Sequence, residues 1–175
     1  AEDGTNSYEL RALTRVPANH EVFLNYGAYS NREMVLYYGF CMTNNPFDRF
    51  NLNLDLPDEV LRLLARVGID NEHYFGPHKI SPKLEMAVLC LLIGDQGLAT
   101  LAKVKDDAVL LASLQKSVKS NKKAIVDTLL DILAGLLEPL VLPESPTTST
   151  GKVAYDFVAT QKALLEQNCA LLGKQ

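Results

Sequence analysis

Hydrophobic and polar residues alternate over much of the first third of the chain, which is the pattern of β-strands that are buried on one face. Residues 8–16 alternate in this way, residues 21–26 are rich in β-forming side chains, and turn-forming residues lie between them at 17–20. We expect the two segments to pair as a hairpin. A third strand is predicted over residues 49–56, with four apolar side chains on its buried face: Phe50, Leu52, Leu54 and Leu56.

From Pro57 onward the apolar residues recur every three or four positions, which predicts amphipathic helices. These helices are expected over residues 57–67, 82–93, 98–104, 107–118, 122–137 and 152–172. Ser81 and Pro82 mark the start of the second of these helices. Its apolar run is too short to span a bilayer, so it predicts a buried central helix without membrane association. A break is expected at residues 94–97 and a linker at residues 139–151. The predicted fold class is therefore α+β, with short strands followed by an all-helical C-terminal lobe.

Composition and charge argue against several classes of function. The 175-residue chain has a net charge of −4 and a pI near 5.4, which gives no reason to expect a nucleic-acid partner. Cys41, Cys90 and Cys169 form no C-x-x-C pair, so we expect free thiols in an intracellular, reducing compartment, either cytoplasm or nucleus, with a plastid left open. His73 and His78 are expected to be solvated loop residues, and no metal site is predicted.

The stretch from Glu21 to Phe40, EVFLNYGAYSNREMVLYYGF, contains the signals for a strand, a turn and a short helix. Gly27 lets the chain turn after the β-forming residues. Ser30 followed by Glu33 has the spacing of a capping box, in which both side chains satisfy backbone N–H groups of the first helical turn. Gly39 can end the helix in a left-handed conformation.

This local structure places Tyr26, Tyr38 and Phe40 near one another in a tyrosine-rich corner. From the residues alone, such a corner is better explained as ordinary amphipathic core with its hydroxyl groups hydrogen-bonded at the edge. It also suits a methyl-transfer site, because aromatic faces attract a sulfonium or ammonium cation by roughly 0.5 to 2 kcal/mol and phenol oxygens can orient an amine.

The pattern N-Y-G-x-x-S-N-R-E-x-x-x-x-Y-G-F resembles the C-terminal motif of SET-domain protein methyltransferases, of the branch typified by the Rubisco large-subunit lysine methyltransferase. The resemblance implies that Tyr26 is catalytic and projects its phenol into the methyl-transfer site. It implies that Tyr38 lines the substrate-lysine channel beside the cofactor and that Phe40 belongs to the same aromatic wall, so that both are also cofactor-binding residues. The implied cofactor is S-adenosylmethionine, and the implied partner is a protein substrate with a target lysine.

The same resemblance implies a division of the chain into two parts. Residues 1–56 correspond to the C-terminal part of a SET domain, and residues 57–175 to the helical substrate-binding domain of the Rubisco-methyltransferase type. The cofactor loop and the N-H-S segment of the family have no counterpart in the printed sequence. We therefore expect a fragment that carries only the C-terminal part of the catalytic site and that binds the cofactor weakly by itself.

Two further expectations concern specificity and activity. In the actin-histidine branch of the family an arginine stands at the position of Tyr29 and a small residue at the position of Tyr38, so the resemblance implies lysine as the target here. The alternative is a catalytically inactive helical protein-interaction module derived from the same fold. A coincidental α+β domain also remains possible from the sequence.

Overall fold

The computed structural model describes residues 11–142, 144 and 146–174, and within them the chain is mostly helical with one two-stranded antiparallel sheet. In chain order the elements are α1 Asn31–Tyr38, β1 Phe50–Leu52, α2 Asp58–Arg66, β2 His73–Phe75, α3 Pro82–Leu92, α4 Gly94–Ala102, α5 Asp107–Ser120, α6 Lys122–Leu137 and α7 Ser149–Leu172. The mixture of helix and strand agrees with the predicted fold class.

The small sheet comes from the predicted third strand and from residues around Tyr74. Phe50 lies opposite Phe75 and Leu52 lies opposite His73 in the antiparallel pair. The predicted alternation is confirmed, because Leu52 and Leu56 are buried while the intervening polar residues are exposed. Only the first half of the predicted segment is regular strand, since β2 is three residues long and offers no further pairing.

Helix α3 lies at the centre of the core, as its apolar run predicts. It packs against α2, α4, α5, α6 and β2. Its side chains merge with those of the neighbouring helices into one continuous cluster that includes Leu84, Ala87, Val88, Leu89, Leu110, Leu114, Ile125, Leu129, Leu133, Leu165 and Leu172. Burial of these apolar side chains is the main favourable contribution to the stability of the fold.

The predicted break after α3 is a sharp bend rather than a loop. Gly94 has a φ of 61° and is the first residue of α4, so the expectation of an irregular segment over residues 94–97 is wrong. The two helices are bent by 118°. Among the described residues no single helix has the length and hydropathy of a membrane span, and α3 and α4 reach those values only when taken together as this bent pair.

The last helix returns to the first part of the chain. Thr148 caps α7 by accepting a hydrogen bond from the backbone N–H of Gly151, so the helix begins three residues before the predicted start at Lys152. It extends over 24 residues, packs along α6 and also contacts α1, β1 and β2. This contact joins the tyrosine-rich region to the helical lobe.

The hairpin expected near the N-terminus is not present in the described residues. Residues 11–29 contain no strand, and residues 8–10 of the first predicted strand lie outside the described part of the chain. Val22, Phe23 and Leu24 are 71%, 82% and 62% exposed. A strand requires a neighbour that takes its backbone hydrogen bonds, and no described segment lies alongside to do so. The alternating pattern was therefore insufficient to predict a strand here.

His73 is buried, which corrects the expectation of a solvated loop residue. It lies on β2 with 3% of its surface exposed, and neither ring nitrogen has a hydrogen-bond partner in the part of the chain that the structure describes. Burial lowers the pKa of His73, and the nearby Asp70 opposes this change while Lys83 adds to it. His73 is therefore held in its neutral form.

We expect the free energy of unfolding to decrease as the pH falls from 7.5 to 5. The unfolded chain binds a proton at His73 more readily than the folded chain, because only in the folded state is the pKa lowered. The contribution of neutral His73 to the free energy of unfolding is complete above the ordinary histidine pKa of about 6.5 and is lost progressively below it. Urea unfolding at pH 7.5 and at pH 5 measures this decrease. The free energy of unfolding should differ less between the two pH values for His73→Leu than for the wild type. The exposed His20→Leu variant serves as control, and an unchanged pH difference in His73→Leu would contradict this account.

Candidate functional site

Helix α1 is fixed at both ends by the caps that the sequence predicts. Ser30 accepts a hydrogen bond from the backbone N–H of Glu33, and Glu33 accepts from the backbone N–H of Ser30 at 2.8 Å. The Ser30 hydroxyl also donates to Glu33, which in turn pairs with Arg49 at 2.9 Å. These bonds lower the pKa of Glu33, the Ser30 side chain being the largest cause. At the other end Gly39 has a φ of 75° and its N–H donates to the carbonyl groups of Met34 and Val35.

Replacing Ser30 by alanine is expected to lower the free energy of unfolding by about 1 kcal/mol, because the first turn of α1 loses its capping hydroxyl. Denaturant unfolding of the two proteins measures the difference. Ser120→Ala, a substitution at the exposed last residue of α5, provides the matched control and is expected to change stability by less than about 0.5 kcal/mol. Equal decreases in the free energy of unfolding for the two alanine variants would contradict a stabilising role of the cap.

The structure brings Tyr26, Tyr38 and Phe40 together, and we call these three residues the tyrosine corner. The ring centroids of Tyr26 and Tyr38 are 4.4 Å apart, and those of Tyr26 and Phe40 are 5.7 Å apart. Tyr38 and Phe40 are separated by 6.3 Å. Tyr29 lies beside the corner with its ring centroid 5.9 Å from that of Tyr38. The rings meet at tilted or edge-to-face angles, the geometry that aromatic pairs prefer.

The tyrosine corner is open to solvent. Tyr26 and Tyr38 are each 42% exposed, so the corner is not sealed inside apolar packing. Partial desolvation among the rings raises the pKa of Tyr38, and the neighbouring Tyr29 side chain adds to the increase. The phenol of Tyr38 therefore stays protonated and uncharged at neutral pH. Chemically, the corner offers aromatic faces for a cation and phenol groups that can donate or accept a hydrogen bond.

A buried polar network at the N-terminal end of α1 was not predicted from the sequence. It consists of Asn31, Asn45, Asp48 and Gln161, all at most 6% exposed. The Asp48 carboxylate accepts from the backbone N–H of Asn31 at 2.9 Å, from the Asn31 side chain at 2.9 Å and from Gln161 at 3.2 Å. Buried polar groups require such partners.

The same network holds the chain between Tyr26 and α1. The side-chain amide of Asn45 donates to the backbone carbonyl of Tyr29 at 2.8 Å and to Asn31 at 3.3 Å. Asn31 also exchanges two hydrogen bonds of 3.0 Å with the backbone of Met42. Residues 44–46, Asn-Asn-Pro, have the composition of a turn. This local signal does not indicate that the side chains of Asn45 and Asp48 face inward.

A cavity of about 460 Å³ lies between α7 and the loop at residues 41–48. Asp48, His78 and Asp156 are among its lining residues, as is Cys41. Burial, followed by the charges of Asp156 and Asp48, raises the pKa of the Cys41 thiol to about 11. Because the thiolate is the reactive form, Cys41 is a poor nucleophile at neutral pH.

Cys90 and Cys169 are also poor nucleophiles at neutral pH. Cys90 is 1% exposed, and burial raises its pKa to about 11. The pKa of Cys169 is raised as well, again mainly by burial. In the described residues no group of three or more histidine, cysteine, aspartate or glutamate side chains is arranged to hold a metal ion. The tyrosine corner is therefore the candidate site with the clearest chemistry in this part of the chain.

Comparison with known proteins gives the relationship that the geometry alone does not. No family model matches the chain. The actin-histidine N-methyltransferase of Gallus gallus is 31% identical over 90 residues, which cover 48% of this chain and 15% of the relative. The ribosomal lysine N-methyltransferase set10 of Schizosaccharomyces pombe is 27% identical over 168 residues, or 86% of this chain and 30% of the relative. The SET domain-containing protein 4 of Artemia parthenogenetica is 43% identical over 42 residues, 24% of this chain and 11% of the relative.

The chain is similar to SET-like protein methyltransferases. It spans less than a third of the length of each of these three relatives. One of these relatives is named as a histidine methyltransferase and another as a lysine methyltransferase, so the names of the relatives do not agree on one target residue.

Proposed function

We propose that this chain forms the C-terminal part of an S-adenosylmethionine-dependent protein-lysine N-methyltransferase of the Rubisco large-subunit type. In this proposal residues 1–56 complete a SET domain and residues 57–175 form the lobe that binds the protein substrate. The observation that carries the proposal is the 4.4 Å approach of the Tyr26 and Tyr38 rings, each of which is 42% exposed. The free thiols are consistent with an intracellular protein.

The residues of the tyrosine corner fit the reacting end of the cofactor. S-adenosylmethionine supplies a methyl group on a positively charged sulfur, and aromatic faces such as those of Tyr38 and Phe40 attract such a cation. The phenol oxygen of Tyr26 would accept a hydrogen bond from the substrate amine and fix its direction of approach, which is the main requirement of an in-line displacement. The adenosyl and carboxyl groups of the cofactor need further binding residues, which we assign to sequence beyond the corner.

The raised pKa of Tyr38 limits what this residue can do. A phenol that stays protonated at neutral pH orients the amine by hydrogen bonding and does not remove its proton. In the proposed mechanism the ammonium group of lysine loses its proton to solvent before the amine enters the corner. Together with the walls that the rest of the site would supply, the rings would keep water away from the reacting amine, so that it does not lose its orientation to competing hydrogen bonds.

Lysine is proposed as the target because Tyr29 and Tyr38 stand where the actin-histidine branch of the family carries an arginine and a small residue. The ring centroids of Tyr26 and Tyr38 are 4.4 Å apart and those of Tyr29 and Tyr38 are 5.9 Å apart, so these rings are in contact with one another. A target side chain would therefore approach over their exposed faces. Since the chain is similar to relatives named for histidine and for lysine methylation, the test distinguishes the two targets.

The test uses the longest natural polypeptide that contains these residues, which we call the full-length protein. It is incubated with S-adenosylmethionine carrying a labelled methyl group and with protein extracts, and modified sites are mapped by mass spectrometry. Label on lysine supports the proposal. Label on histidine alone would overturn the lysine assignment, and no label on any protein would overturn the enzymatic function.

A second measurement addresses the contribution of the printed chain. Calorimetric titration of the 175-residue chain with S-adenosylmethionine is expected to show weak binding, because only one wall of the proposed site is included. Tight one-to-one binding would contradict the view that this chain carries only part of the site.

The alternative function is a helical protein-interaction module that has lost catalysis. The exposure of Val22, Phe23 and Leu24 beside the corner favours it, since an exposed apolar stretch is typical of interaction surfaces. Under this alternative the full-length protein would retain a specific protein partner in affinity capture while transferring no label to it.

A further inference from the structure

We infer that Asp48 and Gln161 are positioning residues that couple helix α7 to the tyrosine corner. The inference rests on the proposed function for its catalytic consequence, but the coupling itself is a property of the fold. Gln161 is a polar residue at a buried position of α7, 113 positions after Asp48 in the sequence, and the coupling gives it a role.

The first step is the contact between α7 and Asp48. The side-chain amide of Gln161 donates to both carboxylate oxygens of Asp48, at 3.2 and 3.4 Å, and both residues are 6% exposed. Hydrogen bonds to an ionised group are stronger than those between neutral groups, and they gain further when water is excluded. Gln161 therefore holds Asp48 at a fixed distance from the axis of α7.

The second step leads from Asp48 to Tyr38. The carboxylate accepts from the backbone N–H of Asn31, which is the first residue of α1, and from the Asn31 side chain. Tyr38 is the last residue of the same helix, which is only eight residues long and is capped at both ends. A short capped helix moves as a rigid body, so a shift of Asp48 is transmitted to the ring of Tyr38.

The third step leads to Tyr26 by a separate route. Asn45 donates to the carbonyl of Tyr29 and to the side chain of Asn31, so it fixes the segment that joins Tyr26 to α1. The backbone N–H of Asp48 donates in turn to the carbonyl of Asn45 at 3.1 Å. Movement of Asp48 therefore shifts both α1, which carries Tyr38, and the segment that joins Tyr26 to α1.

The charge of Asp48 makes the network sensitive to the loss of any donor. The guanidinium of the adjacent Arg49 pairs with Glu33, while only the backbone N–H of Arg49 donates to Asp48, at 3.0 Å. The buried carboxylate is thus stabilised in this network by N–H groups rather than by the charge of its neighbour. Removing the Gln161 amide leaves the buried carboxylate of Asp48 with fewer hydrogen bonds to replace those it makes with water in the unfolded chain. The remaining donors must then rearrange around the carboxylate.

The consequence is a mechanical link between the helical lobe and the proposed catalytic site. Helix α7 packs along α6 and touches α1, so a protein that binds the lobe and displaces α7 also displaces Asp48. Substrate binding at the lobe would in this way set the separation of the Tyr26 and Tyr38 rings.

The experiment compares Gln161→Glu and Gln161→Leu with the same two substitutions at Gln167. Gln167 lies on the same helix but is exposed, and its amide donates to the carbonyl of Pro77, outside the network. Glutamate at 161 places a second carboxylate against Asp48, and leucine removes the donor. Tyrosine ring signals of the 175-residue chain are recorded by NMR with ¹³C-labelled tyrosine, well below the melting temperature.

We expect the ring signals of Tyr26 and Tyr38 to shift in both variants at position 161 and to remain at their wild-type positions in both variants at position 167. Gln161→Asn, which keeps the amide but shortens its reach, tests the coupling if the other variants fold poorly, and the same shifts are expected. Lower thermal stability with unchanged Tyr26 and Tyr38 signals would show that Gln161 only stabilises the fold, and this outcome would overturn the inference.

A kinetic arm in the full-length protein links the coupling to catalysis. Misplacing reacting groups by about 1 Å can cost on the order of 100-fold in rate, so kcat of the Gln161 variants is expected to fall about tenfold or more. The Gln167 variants should retain the wild-type kcat. Unchanged kcat together with shifted rings would overturn the catalytic consequence of the coupling. If the wild type itself transfers no methyl group, the proposed function fails, while the ring signals still decide whether α7 is coupled to the corner.

Discussion

Replacement of Tyr26 by phenylalanine in the full-length protein is expected to lower kcat of methyl transfer on the order of 100-fold. The substitution keeps the ring, whose centroid is 4.4 Å from that of Tyr38, and removes only the hydroxyl that we propose to orient the amine. Because the aromatic face remains, affinity for the cofactor should change little. Initial rates at saturating cofactor and substrate, together with calorimetric cofactor binding, separate the two effects.

The matched control is Tyr74→Phe. Tyr74 is 40% exposed, nearly the same as Tyr26, but it lies on β2 with its ring beneath the guanidinium of Arg49. Loss of its hydroxyl should leave kcat at the wild-type value. Unchanged methylation by Tyr26→Phe would remove the catalytic role that we propose for this phenol, whatever the behaviour of the other aromatic residues.

Replacement of Phe75 by alanine is expected to lower the free energy of unfolding by about 3 to 5 kcal/mol. Phe75 is 0% exposed and is among the largest fully buried side chains of the described core. Its loss leaves a cavity between the small sheet and α3, which packs against β2. Since total stabilities of domains are on the order of 5 to 15 kcal/mol, much of the chain would unfold at moderate urea concentrations.

Phe47→Ala is the control for this substitution. Phe47 is 52% exposed, so the same change of side chain removes little buried surface and should cost less than about 1 kcal/mol. Urea unfolding followed by circular dichroism measures both variants at one pH. Comparable losses at the two positions would indicate that Phe75 does not occupy the core as the structure places it.

The features that the sequence predicted well are those governed by neighbours within a few positions. The Ser30 and Glu33 capping box and the left-handed Gly39 follow from local rules, and both are present. The periodic apolar residues of α3 likewise predicted a buried helix. Because these signals also fix the ends of α1, the proximity of Tyr26 and Tyr38 could be predicted, while their proposed roles came from the family resemblance.

The features that the sequence did not predict depend on distant parts of the chain. The alternating residues 11–16 and the apolar residues 22–24 were expected to form strands, yet strand formation requires a pairing partner that the local pattern cannot supply. His73 is buried because β2 pairs with β1. From the sequence, residues 69–76 were open to a loop or to an edge strand around Tyr74 and Phe75, and neither interpretation fixes which side chains face the core. Gln161 faces inward because Asp48 lies opposite it, and neither residue identifies the other in the sequence.

The return of α7 to the start of the described chain has a consequence for the order of events during synthesis. Asp48 leaves the ribosome long before Gln161, its partner 113 positions later, so the carboxylate lacks this hydrogen-bond donor until residue 161 has emerged. Contacts between residues so far apart slow folding, because a long loop must close before they form. The aromatic corner should therefore be among the last parts of the molecule to reach its final geometry, and premature termination before residue 149 would remove α7 and leave the corner without this support.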